Sequence, residues 1–321
     1  MTSMDRSEGA RPLGRAVLPA VPARPLPALR WLAAPGVSWW FVLPALAVYV
    51  MVIVYPMVAG VGFAFTDWNG LSRDYGFVGV DNFTRMWGDR QVVSAISMSL
   101  VFAVALVVTK VGFGLMLALA LDTQIKSRNF LRLLFFLPVV MTPVIVSYVW
   151  KYIFSNNGAI NQVARALGLD GLDQYWLGDP DLAAVCVIVV TGWQTVGLAM
   201  VIFLAGLQTI PKDLLEAATI DGAGGRQRLV RITLPLLAPA ITINVALALI
   251  QGLKFFDQIF ILTAGGPGYA TETLSTIIYK TSFQFGEFGY GSAIALVFAL
   301  IVGACVYSTT VLLRRREIAH D

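Results

Sequence analysis

The segment LAAVCVIVVTGWQTVGLAMVIFLAGLQTI, residues 182–210, carries no charged side chain over 29 positions. About 20 mostly apolar residues, wound as a helix, cross the hydrocarbon core of a bilayer. Working outward, five more runs reach or approach that length: residues 39–65, 92–121, 133–152, 232–262 and 288–313. Lys110 interrupts the second run, Lys151 sits near the end of the third, and Lys254 and Asp257 break the fifth. One such run would suit a helix buried in a soluble core, but six in 321 residues point to a membrane. The composition agrees, with 57% hydrophobic residues, 13% charged residues and a mean hydropathy of +0.74. Soluble domains are about a quarter charged. The expected fold is therefore all-α, a polytopic membrane protein with six transmembrane helices. A cytosolic enzyme and a disordered chain are excluded. Cys186 and Cys305 both lie in apolar runs, which excludes a disulfide scaffold.

The basic residues orient these spans. Residues 1–38 are rich in Pro, Ala and Arg and bury too little apolar surface to order themselves, so a flexible tail is expected there. The run that follows starts too late and is too long for a cleaved signal peptide. Five arginines of the tail, Lys126, Arg128 and Arg132, then Lys212, Arg226, Arg228 and Arg231, and finally Arg314, Arg315 and Arg316 fall on one side. Only Arg73, Arg85, Arg90, Arg165 and Lys280 fall on the other, among acids that include Glu272 and Glu287. Positive charge collects on the cytoplasmic side of membrane proteins, so both termini are expected there, with residues 314–321 as a short tail. The basic pI near 9.1 thus reflects topology, and no nucleic-acid partner is expected.

Residues 208–235 connect the fourth and fifth runs on that same side. Pro211 suits a helix start, Lys212–Ile220 reads as a short helix, and Gly222 suits the position just past its end. A second helical piece from Gly225 leads back into the membrane. These residues alone allow a docking knob for a cytoplasmic partner or an ordinary amphipathic loop helix. The combination Glu216-Ala217-Ala218, then Gly222, then Ile232-Thr233-Leu234-Pro235 resembles the EAA motif of ATP-binding-cassette (ABC) importer permeases. Further stretches resemble the carbohydrate branch of that family, of the maltose and raffinose type. They are Phe65-Thr66-Asp67-Trp68, Phe77-Val78-Gly79, Asn82-Phe83, Trp150 to Phe154, Gly158, Asn161, Trp176-Leu177-Gly178, Phe255 to Pro267 and Thr271 to Tyr279. The resemblance runs from about Trp40 to the C-terminus.

The resemblance implies a type I ABC importer permease fold in a bacterial inner membrane. It implies that Glu216, Ala217, Ala218, Asp221 and Gly222 couple to a separate ATPase subunit, with both alanines letting the helix sit close to that partner. It also implies a second permease subunit, two ATPase subunits, an extracytoplasmic sugar-binding protein and a sugar substrate. ATP and Mg would be used by the ATPase, and no cofactor by this chain. No lysine here follows a glycine, as a phosphate-binding loop requires, and the single histidine, His320, lies next to the terminus. No catalytic or metal-binding set is therefore expected.

Ionisable residues inside spans are expensive and commonly line a pathway. Lys254 and Asp257, three apart, could share one helix face, as substrate contacts, as a mutual salt bridge, or in a helix-to-helix pairing with Lys110 that only shapes the bundle. Lys151 is expected to snorkel to the interface. Pro138, Pro143, Pro235 and Pro239 each read as a packing kink. The resemblance to the maltose-type permease places the substrate path on spans four and five. There it selects Thr191, Trp193, Thr195 and Leu198, then Ala248, Gln251, Gly252, Asp257 and Gln258, and Lys254 joins them as an ionisable residue within the span. Thr and Gln could instead only bond helix to helix. An importer of glycerol-phosphate-type or polyol substrates is the nearest alternative, and a secondary transporter the next.

Overall fold

A computed structural model describes residues 39–123 and 125–318. The tail at 1–38 and His320 lie outside the described residues. The chain divides into two units, Met1–Tyr55 and Pro56–Asp321. In the first, the described residues are helical from Leu43 and bury no side chain. That helix belongs to an apolar stretch, α1, running Leu43–Phe63.

Among the described residues, the regular elements of the second unit are all helices, beside one isolated bridge between Thr66 and Phe77. A short α2, Asp81–Gly88, precedes α3, Arg90–Leu121. Asp89 caps α3 by accepting the Gln91 amide at 2.9 Å. Lys110 falls in a π-helical turn of α3, Val107–Val111.

The third apolar run is two helices, α4 at Arg128–Val140 and α5 at Pro143–Ile153, bent by 98°. This is far more than the packing kink expected from its prolines. Pro143 has no amide hydrogen and opens a new helix, while the Thr142 hydroxyl caps it by accepting the Ile145 amide. Five helices are long and apolar enough to cross a membrane, or six if this bent pair is one span.

After α6, Ala159–Ala166, comes α7, Pro180–Gln208. Asp179 caps α7, accepting the Asp181 and Leu182 amides at 3.0 Å. The connection forms α8, Lys212–Ile220, and α9, Gly225–Arg228, which continues through a π-helical turn to Leu236. The fifth run is interrupted: α10 spans Ala238–Leu253 and α11 spans Asp257–Leu262. Lys254 and Asp257 therefore flank a break in the helix and do not share a helix face. Last come α12, Leu274–Tyr279, and α13, Phe288–Ile318. α13 continues past Leu313 and takes in most of the stretch expected as a C-terminal tail.

Three apolar clusters hold this unit together. Phe102, Val146, Val187, Val190, Phe255 and Ile259 join α3, α5, α7 and the α10–α11 break. Ala118, Met200, Phe203, Leu207, Leu237 and Ala240 join α3, α7 and α10. Met86, Val92, Leu274, Ile277 and Ile294 join α2, α3, α12 and α13. Small residues permit close approach where two helix backbones meet, as is common in membranes. A Cβ on Gly252 would fall 2.5 Å from the Ala103 Cα, so α10 rests directly on α3. Gly252→Val is expected to wedge these helices apart and destabilise the protein by about 1–3 kcal/mol, the usual overpacking cost. Thermal unfolding in detergent, compared with Gly303→Val, checks this, because Gly303 has open space around it.

Candidate functional site

A cleft of about 450 Å³ opens where the α10–α11 break meets α7 and the bend between α4 and α5. Thr195 and Leu198 of α7 line it, with Gln251, Lys254, Asp257 and Gln258 from the broken helix. Gln194, Val139, Met141, Pro143, Ile250, Phe255 and Phe256 complete the lining.

The break supplies this geometry. Lys254 ends α10 in a non-helical conformation and Phe256 follows at φ −134°. The Phe255 ring is buried edge-on against Phe102, with centroids 5.7 Å apart, and its carbonyl accepts the Thr273 hydroxyl at 3.0 Å. A backbone group freed within a membrane helix must be satisfied by the bundle, and Thr273 does so. Lys254 and Asp257 thus project into the cleft as exposed side chains. No ion pair joins them among the described residues.

The buried amides form a chain. Gln194 donates its Nε2 to the Met141 carbonyl at 2.9 Å, the group left open by the α4–α5 bend. Its Oε1 accepts the Gln258 Nε2 at 2.7 Å. One side chain therefore ties the bend to the first turn of α11. Lys110 is buried and donates to the Gln251 Oε1 at 3.0 Å, so its partner is an amide and not Lys254 or Asp257. Lys151, exposed, donates to the Ile261 carbonyl at 2.8 Å, which binds α5 to α11.

Four residues expected on the path lie elsewhere. The Thr191 side chain is fully buried and bonds the Val187 carbonyl of its own helix at 2.8 Å. Trp193 is turned away, edge-on to Trp150 with centroids 5.5 Å apart. Gly252 is the packing contact on Ala103 described above, and Ala248 is likewise fully buried. Sequence reasoning missed Gln194: the resemblance that selected Gln251 passed it over, although an amide within the uncharged run 182–210 is itself a signal.

The loop 208–235 forms a second feature. The Ala223 amide donates to the Ala218 carbonyl at 2.9 Å and the Gly222 amide to the Thr219 carbonyl at 3.1 Å. This paired pattern, with Gly222 at φ +77°, is a Schellman end to α8. The Arg228 guanidinium donates to the Thr219 hydroxyl at 2.8 Å, fastening α9 to α8. Leu215 packs against the α3–α7 cluster, and Ala218 is buried against this same chain. Glu216, Ala217 and Asp221 are exposed. Of the two alanines, therefore, Ala218 packs inward and only Ala217 presents its side chain outward.

Other motif residues build loops. Asn161, buried, donates to the Gln174 carbonyl at 3.0 Å and accepts the Trp176 indole at 2.8 Å. Beside them Arg165 holds both carboxylate oxygens of Asp173, at 2.8 and 2.9 Å, and this hydrogen bonding keeps Asp173 below the usual carboxylate range. Asn82 donates to the Ala64 and Thr66 carbonyls. Glu272, one of the acids counted on the outer side, is almost wholly buried and pairs with Lys280 at 2.7 Å.

A polar cleft at broken helices inside a polytopic bundle, with a capped helix outside the spans, is the architecture of a membrane permease. Residues 110–318 match the family described as binding-protein-dependent transport system inner membrane component, and the chain belongs to that family. It is a multi-pass inner-membrane permease subunit of an ABC importer that works with a binding protein. The multiple sugar-binding transport system permease protein MsmF of Streptococcus mutans is 38% identical over 266 residues, 83% of this chain and 91% of that protein. The probable starch degradation products transport system permease protein AmyD of Thermoanaerobacterium thermosulfurigenes is 34% identical over 280 residues, 87% of this chain and 94% of that protein. The fold is similar to a chain in the crystal structure of a bacterial ABC transporter involved in the import of the acidic polysaccharide alginate. The TM-score is 0.77 and the identity 24%, over 90% of this chain and 97% of that one.

Proposed function

We propose that this permease passes a neutral di- or oligosaccharide through the cleft at the α10–α11 break. The observation that carries the reading is the lining itself. Gln194, Gln251 and Gln258 offer amides, Thr195 a hydroxyl, and Phe255 and Phe256 aromatic surface. The volume falls within the range of about 300–1,000 Å³ usual for small-molecule sites. One lysine and one aspartate balance each other in the lining, which favours an uncharged polyhydroxyl ligand over the glycerol-phosphate class. The names of the two relatives, one for multiple sugars and one for starch degradation products, point the same way.

In this reading the loop 208–235 and both termini face the cytoplasm. The exposed face of α8, with Glu216, Ala217 and Asp221, docks on one of two ATPase subunits, and Gly222 fixes the end of that helix. A second permease subunit, related or identical, completes the path, and the binding protein delivers the sugar from outside. ATP and Mg serve the ATPase.

The test is transport by the whole assembly in proteoliposomes with labelled sugars. Uptake of a neutral oligosaccharide that depends on ATP, with no uptake of glycerol phosphate, is expected. Uptake driven by an ion gradient without ATP would overturn the reading, as would preference for the phosphorylated substrate.

A further inference from the structure

A second cleft, of about 360 Å³, lies where the ends of three spans meet the loop helix α8. Arg128, Arg132 and Lys212 line it together with one acid, Asp122, and with Leu207, Ile210 and Leu215. It shares no lining residue with the cleft at the α10–α11 break.

The three cations are not neutralised from within. No ion pair joins them to Asp122 or to another carboxylate among the described residues. The Arg132 Nη2 donates to the Leu121 carbonyl at 2.8 Å, while its Nε is buried and has no acceptor. A guanidinium held in place by one backbone bond, with other donors uncommitted, is preorganised for an oxyanion. Its fork geometry matches a phosphate, and lysine adds a point charge.

The position in the bundle specifies the source of that phosphate. α3 ends at Leu121, α7 ends at Gln208 and α4 begins at Arg128, so the cleft sits where apolar helix gives way to polar loop. Lipid headgroups occupy that level, and basic pockets between spans on the cytoplasmic side suit them. From the cleft, α4 continues into exposed Phe130, Leu133, Leu134 and Leu137, an apolar surface for acyl chains.

We propose that this cleft binds the phosphate headgroup of an anionic membrane lipid. Lys212 is the first residue of α8 and Arg128 the first of α4, so one bound headgroup bridges the loop helix to the membrane spans. The lipid would act as a movable pin between the part that meets a cytoplasmic partner and the part that moves in the bilayer. The proposal uses the membrane placement of the chain and is independent of the sugar, so each can fail alone.

The test uses the intact importer in nanodiscs of phosphatidylcholine doped with phosphatidylglycerol. After transfer to detergent, bound lipid is counted by native mass spectrometry. Preferential retention of phosphatidylglycerol is expected. Removing one charge near an anionic surface weakens binding about five-fold, so Arg128→Gln with Lys212→Gln should weaken it roughly 30-fold. Arg132 is left in place because it also holds the Leu121 carbonyl. Lys126→Gln removes an exposed charge outside the cleft and should leave retention within about two-fold of the original, as expected for a screened charge. Four results would overturn the proposal. They are equal retention of both lipids, unchanged retention in the double variant, a loss in Lys126→Gln matching that in the double variant, and competition by inorganic phosphate. The last would assign the cleft to a soluble anion.

Discussion

Gly222→Val is expected to lower transport by the reconstituted importer at least 10-fold while the ATPase subunits still bind. A β-branched residue at φ +77° is a conformational outlier, and left-handed backbone costs an L-residue about 1–2 kcal/mol. No neighbour lies within 4 Å of a Cβ built on Gly222, so the effect would come from the backbone and not from a clash. To escape that strain, the chain must give up the Ala223-to-Ala218 and Gly222-to-Thr219 bonds that end α8. The exposed face of α8 would then lose its fixed angle to Leu215 and Ala218, which anchor it to the spans. ATP hydrolysis should continue with little sugar moved per ATP. Gly222→Asn, which tolerates the left-handed region, should retain most of the transport. Equal transport by the Val and Asn variants would show that this helix end does not transmit motion. The measurement is sugar uptake and ATP turnover on the same proteoliposomes.

Gln194→Leu is expected to have the second large effect. It removes both bonds of the amide and leaves the Met141 carbonyl and the Gln258 Nε2 without their partner. Each orphaned buried group costs about 1–3 kcal/mol in soluble proteins. Interhelical hydrogen bonds in membranes average nearer 0.6 kcal/mol. A loss of about 2 kcal/mol in unfolding free energy lies between these limits, and thermal unfolding in detergent reads it. The cleft should suffer more than the stability, because Gln194 connects the α4–α5 bend to α11. Apparent sugar affinity is expected to fall at least 10-fold, consistent with about 1.4 kcal/mol per factor of ten. Thr195→Val is the comparison: its hydroxyl bonds the Thr191 carbonyl of the same helix, so its removal should change stability little. If the two variants unfold at the same temperature, the amide chain does not hold the α4–α5 bend to α11.

Much of the architecture was legible because a bilayer simplifies the reading. Backbone groups inside a membrane must bond within their own segment, so an uncharged run of sufficient length is a helix. Residues 182–210 illustrate this, since α7 occupies Pro180–Gln208. The loop was legible for a local reason: Gly222 is the residue type that a helix end with positive φ selects. The α10–α11 break was not legible. The sequence Lys254-Phe255-Phe256-Asp257 contains no glycine or proline, and the helix stops there because Phe255 is drawn into a core cluster and Thr273 takes its carbonyl. The burial of Glu272 was not legible either, since it depends on Lys280 eight positions away folding back to meet it.

Hydropathy along the chain set which segments are helices in the membrane, and the glycine and alanine pattern of 208–235 marked a loop of special shape. Those features depend on each residue and its near neighbours. The cleft does not. Gln194 meets Met141 across 53 positions and Gln258 across 64, and Lys110 meets Gln251 across 141. Whether an amide in an apolar run lines a path, locks a bend or satisfies a distant lysine depends on which helix packs against it. Packing is a property of the whole bundle, so the membrane class and the turn that ends α8 could be read locally, whereas the composition of the cleft emerged only when the helices met.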